Sequence, residues 1–243
     1  MHLDGRVALV TGAGRRIGRA IALGLSGQRA HVAVHYNESA AEASAVVEEI
    51  RGAGGIAQAF SADLGDAAAP AQLISDVVAA LGRIDVLINS AAVMLRTPIG
   101  TVTAQQWDAI MALNLRAPFL LAQAAAAAMG TRGGAIVNIA DLAAFEAWSD
   151  YIPHGISKAG VVQMTRALAH ALAPAVRITG VAPGSILLPS QWSSEVGERL
   201  AATTPLKRLG TPDDVVGAVL YLLAADYVTG ETLIVDGGRH VRR

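Results

Sequence analysis

Short apolar runs alternate with longer amphipathic segments along the whole chain. The runs are rich in β-branched residues and lack polar interruptions, which is typical of parallel strands that are buried on both faces. They predict seven strands, at Val7–Thr11, His31–His35, Ile56–Ser61, Val86–Asn89, Ala135–Ile139, Arg177–Val181 and Thr232–Val235. The intervening segments predict helices at Arg16–Ser26, Ala40–Arg51, Pro70–Leu81, Ala104–Met129 with a bend near Pro118, Pro153–Leu172 and Pro212–Ala224. This alternation predicts an α/β fold with a Rossmann-type, doubly wound parallel sheet of seven strands flanked by helices.

No linker, repeat or shift in composition divides the 243 residues. We therefore expect a single domain over residues 1–243. One stretch, Gly184–Gly210, has no regular pattern apart from a short helix predicted near Glu195–Ala202. Irregular stretches of this length inside a domain often act as lids. We predict a substrate lid over residues 184–210.

The composition narrows the possible partners. The formal net charge is −1, so the chain lacks the basic excess that nucleic acid or an anionic membrane would require. Its N-terminus, MHLDGRVALVTG, does not follow the layout of a signal peptide, and we expect a cytoplasmic protein that acts on a small molecule. The absence of cysteine excludes disulfides and thiolate chemistry, and the six histidines show no metal-ligand spacing, so we predict no metal.

A glycine-rich turn follows the first predicted strand directly and leads into an apolar helix. Gly12 and Gly14 allow a tight turn that can approach a pyrophosphate, and Gly18 allows the helix to pack closely on the strand. The helix N-terminus offers free N–H groups to the anion. The turn thus predicts a dinucleotide site at Gly12, Gly14, Arg15, Arg16, Ile17 and Gly18.

The end of the second predicted strand bears on the choice of cofactor. NAD-dependent enzymes usually carry an acidic residue there to hold the ribose hydroxyls. This chain has His35 in that place, and its first acidic residue is Glu38. An arginine of the turn, with His35 and Ser39 opposite, suits a ribose 2′-phosphate, while the other arginine is expected to be solvated. We therefore predict NADPH/NADP⁺ and extend its site to His35, Tyr36, Asn37 and Ser39.

Further short motifs follow in order along the chain. They are Asp63-Leu64, Asn89-Ser90-Ala91-Ala92, Asn114, Ser157-Lys158-Ala159, Pro183-Gly184 and Val235-Asp236-Gly237-Gly238. As an ordered set, together with the glycine-rich turn, they resemble the short-chain dehydrogenase/reductase family over essentially the full length. The resemblance implies further cofactor contacts at Asp63, Leu64, Asn89, Ser90, Ala91, Lys158, Pro183, Gly184 and Ile186.

The same resemblance implies a proton relay and an assembly. Asn114 would hold a water molecule of the relay. Members of the family usually form dimers or tetramers through their long fourth and fifth helices, so we predict a homotetramer, or a homodimer. The alanine-rich stretch Ala124–Ala128 would suit close helix packing there.

The chain departs from the family pattern at three positions. Arg16 replaces a glycine of the turn, Asp141 takes the place of the usual serine, and His154 takes the place of the usual tyrosine. The first two departures resemble the pteridine reductases, as do the stretches His35–Ala43 and Pro183–Leu187. The aromatic residue that stacks on the pterin in that subgroup would align with Met94. Met94, with Leu188 and Trp192 of the lid, is the predicted substrate contact.

Hydride transfer to C=O, C=N or a conjugated double bond leaves negative charge that a positioned acid must neutralise. One route uses Tyr151, seven residues before Lys158, a spacing that resembles enoyl reductases of this superfamily. Pro153, however, predicts the helix start and places Tyr151 in the loop before it. The other route uses Asp141 or His154, which lies four residues before Lys158 on one helical face.

Three hypotheses on function remain open at this point. The first is a pteridine reductase-like enzyme that uses NADPH to reduce a pterin-type or related conjugated C=N/C=O substrate. The second is an enoyl thioester reductase that uses Tyr151 and Lys158. The third is a catalytically impaired NADPH-binding regulator, for which the missing tyrosine argues.

Overall fold

The computed structural model describes residues 1–188 and 193–241. Its strands are β1 Val7–Val10, β2 His31–Tyr36, β3 Ala57–Ser61, β4 Val86–Asn89, β5 Gly134–Ile139, β6 Val176–Pro183 and β7 Thr232–Val235. The α-helices of these residues are α1 Arg16–Gly27, α2 Ala40–Gly52, α3 Ala69–Leu81, α4 Ala104–Met111, α5 Ala117–Met129, α6 Ile152–Leu172, α7 Ser194–Thr203 and α8 Pro212–Ala224. The strands form one parallel sheet in the order β3-β2-β1-β4-β5-β6-β7, which confirms the predicted fold class.

The two faces of the sheet carry separate apolar cores because successive strand residues point to opposite sides. From β1, Ala8 and Val10 pack on the face covered by α1, α2 and α8. Val7 and Leu9 pack on the other face, with residues of α3 and α5. The continuous apolar runs in the sequence are thus explained by burial on both faces, as predicted.

The long helix predicted at Ala104–Met129 is interrupted earlier than expected. Residues Ala112–Arg116 form a π-helical segment between α4 and α5. Pro118 lies in the first turn of α5, directly after this segment, and its missing N–H group leaves a gap in the hydrogen-bond ladder at the junction. The wider turn holds Asn114, whose amide is bonded to the backbone of Val93. Tertiary contacts therefore set the position of the irregularity, which is common near functional sites.

The same helical run, Ala104–Arg132, is long and apolar enough to cross a membrane by length and composition alone. In the fold it includes the buried residues Asn114, Leu121, Ala122 and Ala125, and α5 packs with α3 in one of the two cores. We therefore assign it to the domain as a helical run with one side in the core and the other exposed. Ala125 of the alanine-rich stretch Ala124–Ala128 is buried in this core, so part of the stretch packs within the chain itself.

Asp85 joins the starts of β1 and β4 at the edge of the sheet opposite the carboxyl ends. Its fully buried carboxylate accepts hydrogen bonds from the Val7 N–H at 3.0 Å, from Arg6 at 3.0 Å and from Arg83. Burial by itself raises the pKa of Asp85, but the bonds from Arg83, Val7 and Arg6 outweigh it and hold the pKa below its usual value.

We expect Asp85→Asn to lower the free energy of unfolding by about 1.5–3 kcal/mol, because an amide cannot accept from all three donors. Denaturant unfolding at neutral pH measures the change. Asp4→Asn is the control, since its contact with Arg29 is 3.6 Å long and both side chains are exposed. Equal stability of the Asp85→Asn variant and the parent would contradict this account.

Candidate active site

A cleft of about 1990 Å³ runs along the carboxyl ends of the central strands. β1 lies between β2 and β4, so the chain leaves β1 and β4 toward opposite faces and opens a crevice there. The residues predicted to bind the cofactor line this cleft, except Gly14 and Asn89. They are Gly12, Arg15, Arg16, Ile17, Gly18, His35, Tyr36, Asn37, Ser39, Asp63, Leu64, Ser90, Ala91, Lys158, Pro183, Gly184 and Ile186.

The glycine-rich turn has the shape that a pyrophosphate site requires. Gly12 has a φ of +64°, a left-handed conformation that favours glycine. A Cβ on Gly18 would lie 2.2 Å from the Gly12 carbonyl oxygen, so only glycine lets α1 begin this close to the turn. The first N–H groups of α1 therefore lie at the cleft, and the residues present fit a bound dinucleotide.

Gly14 and Asn89 make contacts beside and behind the cleft, and their predicted cofactor contacts stay predictions. A Cβ on Gly14 would lie 3.1 Å from Ser39 Oγ and 3.3 Å from the Ala43 nitrogen, so Gly14 lets α2 approach the turn. The Asn89 amide is buried behind the cleft and donates to Asn138 Oδ1 at 2.8 Å. Both residues support the cofactor-facing backbone from behind.

His35 holds the turn and does not present a charge to a phosphate, which corrects the role predicted for it. Nδ1 accepts the Gly12 N–H at 3.1 Å, and Nε2 lies 3.1 Å from the Ala62 carbonyl oxygen, to which it donates. Burial lowers the pKa of His35 to about 4, although the bond to Ala62 acts in the opposite direction. The ring is therefore neutral near neutral pH and connects the ends of β1, β2 and β3.

The two arginines of the turn differ in where their side chains lie. Arg16 adopts a φ of +53°, an unusual value for a residue with a side chain. Its guanidinium reaches across the cleft and donates to the Leu187 carbonyl oxygen. Arg15 is the N-cap residue of α1, is exposed and lines the cleft. Arg15 is thus the better placed of the two to meet a phosphate.

Lys158 and Asp141 lie together at the inner end of the cleft. The buried Lys158 ammonium donates to the Ile139 carbonyl oxygen at 2.8 Å. Burial lowers the pKa of Lys158 to about 8, and the charge of Asp141 opposes that shift. Asp141 caps a short 3₁₀ turn, since Oδ1 accepts the Ala143 N–H at 2.7 Å. The structure thus brings these two predicted site residues together in one cleft.

His154 lies in the first turn of α6 beside Asp141. Its ring is buried, with Nδ1 3.2 Å from the Val93 carbonyl oxygen and Nε2 3.7 Å from Asp141 Oδ2. Within residues 1–188 and 193–241, Nε2 has no hydrogen-bond partner. A buried polar atom without a partner is uncommon and calls for an explanation.

Asn114 lies behind His154 and does not line the cleft, and its role in holding a water molecule stays a prediction. Its Oδ1 accepts the Val93 N–H at 2.8 Å. Its Nδ2 donates to the Val93 carbonyl oxygen at 2.9 Å and to Ser157 Oγ at 3.1 Å. Asn114 thus fixes the backbone segment on which the His154 ring rests.

Tyr151 immediately precedes α6 and lies outside its helical geometry, as Pro153 predicted. Its ring lines the cleft and packs edge-on against Trp148, with centroids 6.4 Å apart. Met94 and Leu188, two of the predicted substrate contacts, also line the cleft. Trp192, the third predicted substrate contact, lies outside the described residues.

No sequence pattern predicted the polar cluster that Arg239 forms at the cleft. Arg239 donates to both carboxylate oxygens of Glu146, at 2.9 and 3.2 Å, and to Ser185 Oγ at 3.2 Å. Its guanidinium also lies 5.8 Å from the Trp148 ring centroid. These residues come from three distant segments, so no local pattern could have joined them.

A family profile described as "Enoyl-(Acyl carrier protein) reductase" matches residues 12–240. D-threitol dehydrogenase of Mycolicibacterium smegmatis is 36% identical over 249 residues, covering 99% of this chain and 95% of the relative. 3-Oxoacyl-[acyl-carrier-protein] reductase FabG of Staphylococcus aureus is 35% identical over 240 residues, covering 96% of this chain and 98% of the relative. A similar solved structure is that of FolM, alternative dihydrofolate reductase 1 of Brucella canis, complexed with NADP. It superposes with a TM-score of 0.92 at 31% identity, covering 100% of this chain and 97% of the FolM chain.

The chain therefore belongs to the short-chain dehydrogenase/reductase family of oxidoreductases.

We expect the stability of this protein to fall in acid because of His35. Its pKa is lower in the folded chain than the usual value of 6.5, so the unfolded chain takes up the proton first as the pH falls. Above about pH 6.5, the low pKa of His35 stabilises the folded chain by on the order of 3 kcal/mol. This stabilisation is lost as the pH falls to about 4. Denaturant unfolding across this range measures it.

His35→Gln should flatten the pH dependence of unfolding in that range and lower stability at neutral pH. His170→Gln, at an exposed histidine, is the control and should keep the parent profile. A parent slope that survives in His35→Gln would show that another group is responsible.

Proposed function

We propose that the protein binds NADPH in this cleft and reduces a pterin-type or related conjugated C=N or C=O substrate. The first turn of α1 and the glycine-rich turn would hold the pyrophosphate, and Arg15 with Ser39 would face the 2′-phosphate. Lys158 would bind the ribose hydroxyls on the nicotinamide side, next to Pro183 and Gly184. NADPH supplies a hydride when bound.

The observation that carries the substrate class is the Asp141 carboxylate inside the cleft. Asp141 lies beside His154 and Lys158, where a carbonyl reductase of the family is expected to carry a serine hydroxyl. A carboxylate suits a substrate with ring N–H donors and disfavours one that offers only a carbonyl oxygen. The similarity to FolM, described as an alternative dihydrofolate reductase, supports this choice.

The test is NADPH oxidation, followed at the absorbance of the reduced nicotinamide, with dihydropterins, enoyl thioesters, ketones and quinones. We expect turnover with a dihydropterin, and slower or no turnover with simple ketones. Turnover of ketones alone would contradict the proposed substrate class. NADPH binding without any turnover, together with gain of activity in His154→Tyr, would identify an impaired enzyme instead.

Reduction of an enoyl thioester is the second candidate. It is favoured by the description of the matching family profile and by the position of Tyr151 and Lys158 on one cleft. It predicts that crotonyl thioesters are turned over and that Tyr151→Phe abolishes this activity. The dihydropterin reaction would be unaffected by that substitution.

The segment 184–210 is proposed to act as a lid on the substrate. The Gly210 N–H donates to the Ser185 carbonyl oxygen at 3.0 Å, so the two ends of the segment are joined. Leu187, Leu188 and Leu200 of the segment line the cleft. We further propose a cytoplasmic homotetramer, or homodimer, with the exposed side chains of Trp107 and Phe119 on α4 and α5 as contact candidates.

Arg15→Gln should weaken NADPH binding by about 10- to 100-fold, because a charge-assisted hydrogen bond to the 2′-phosphate is lost. NADH binding should stay near the parent value. Arg16→Gln is the matched control: since Arg16 contacts Leu187 across the cleft, it should affect both cofactors alike. Fluorescence titration with each cofactor measures the ratio, and a selective loss in Arg16→Gln would reverse the assignment.

A further inference from the structure

We propose that His154 is the catalytic acid of this chain, with Nε2 delivering the proton and Asp141 balancing the charge of the imidazolium. The inference rests on the proposed reductase function and names the residue that replaces the missing tyrosine. It excludes the two other candidates, Tyr151 and Asp141, as the proton donor.

The surroundings of Nδ1 decide which ring nitrogen is available. Nδ1 lies 3.2 Å from the Val93 carbonyl oxygen, which only accepts, so Nδ1 must carry a proton to bond there. The other nearby group, Asn114 Nδ2 at 3.4 Å, is itself a donor already used by Val93 and Ser157. Nδ1 therefore keeps its proton, and Nε2 is the nitrogen that exchanges one.

The surroundings of Nε2 point to a ligand. His154 is 2% exposed and lines the cleft, and Nε2 has no hydrogen-bond partner among the described residues. Asp141 Oδ2, at 3.7 Å, is too far for a hydrogen bond but close enough to stabilise a positive ring. A substrate heteroatom that enters beside Asp141 would give Nε2 the partner that the protein does not provide.

Asp141 is less suited to donate the proton. Its Oδ1 accepts the Ala143 N–H, and its negative charge acts to raise the pKa of Lys158. Asp141 thus acts as the anion of the cluster. It caps the 3₁₀ turn and faces His154 and Lys158, which lie one turn apart on α6. Among the residues that the structure describes, Asp141 and Lys158 are the charged groups of this cluster, and the neighbouring Asn114 and Val93 carry no charge.

Tyr151 is less suited because of its place in the chain. It lies before the first turn of α6, with backbone angles outside the helical range, and its ring packs against Trp148. His154, by contrast, is fixed by the helix and by the Val93–Asn114 contacts. A proton donor must be positioned as well as acidic, and His154 meets that condition.

The proton balance of the step is simple. The hydride joins the substrate carbon, the π electrons of the C=N or C=O bond move to the heteroatom, and that atom takes the proton of Nε2. The imidazolium becomes neutral with Nδ1–H still on Val93, and the cofactor leaves as NADP⁺. A proton from solvent returns to the buried Nε2 by way of the partly exposed Asp141 carboxylate, whose Oδ2 lies 3.7 Å from it.

The kinetic test compares His154→Asn with Tyr151→Phe. Asparagine keeps a donor toward Val93 but has no atom at the Nε2 position, and phenylalanine removes only the hydroxyl. We expect His154→Asn to lower kcat with the dihydropterin by about 100- to 10,000-fold, with NADPH affinity near that of the parent. Tyr151→Phe, at a residue that lines the same cleft, should lower kcat far less than His154→Asn does.

An o-quinone acceptor separates a proton donor from a residue that only maintains structure. Its reduced anion is weakly basic and needs little help from an acid. His154→Asn should therefore lose much less activity with the quinone than with the dihydropterin. Equal losses with both acceptors, or abolition of dihydropterin turnover by Tyr151→Phe, would overturn the proposal.

A readout without substrate distinguishes failure of this proposal from failure of the proposed function. In imidazole ¹⁵N spectra of the NADP⁺-bound protein, the neutral ring of His154 should carry its proton on Nδ1 and none on Nε2. Loss of the Nδ1 proton, with Nε2 remaining protonated, would overturn the proposal. A parent that binds NADPH but reduces no acceptor would contradict the proposed function, and these spectra alone would then decide the assignment.

Discussion

The parallel direction of all seven strands is the constraint on which the rest of the structure depends. Every strand ends at the same edge, so every connection that leaves a strand begins there. Residues from the turn after β1, the ends of β2 and β3, and the loops after β4, β5 and β6 thus meet in one cleft. The opposite edge is held by structural contacts such as those of Asp85.

Buried polar groups hold this edge in shape before any ligand arrives. Thr11 Oγ1 accepts the N–H groups of Ser90 and Ala91 at 2.9 and 3.0 Å, which ties the end of β1 to the end of β4. His35 ties the Gly12 turn to the end of β3, and Asn114 ties the π-helical segment to Val93. Each group has its hydrogen bonds satisfied within the protein, which gives a preorganised frame for the cofactor and the acid.

Burial of the side chains at the inner end of the cleft also governs the electrostatics there. Desolvation lowers the pKa of Lys158 to about 8, while the Asp141 charge opposes the shift. His154 occupies the space next to that pair, with one nitrogen committed to Val93 and the other facing Asp141. The site thus brings an anion and two basic groups together, an arrangement that fits the proposed delivery of a proton after hydride transfer.

The sequence by itself determined the fold class, the seven strands and most residues of the cleft, because apolar periodicity and glycine spacing are local properties of a chain. It also identified Asp141, His154 and Lys158, whose spacings are short. Only the tertiary structure decided that His35 is neutral and structural, that Arg16 reaches Leu187, and that Arg239 meets Glu146 across 93 positions. Those roles depend on burial and on which distant groups share hydrogen bonds, and the pattern along a chain does not record either of them.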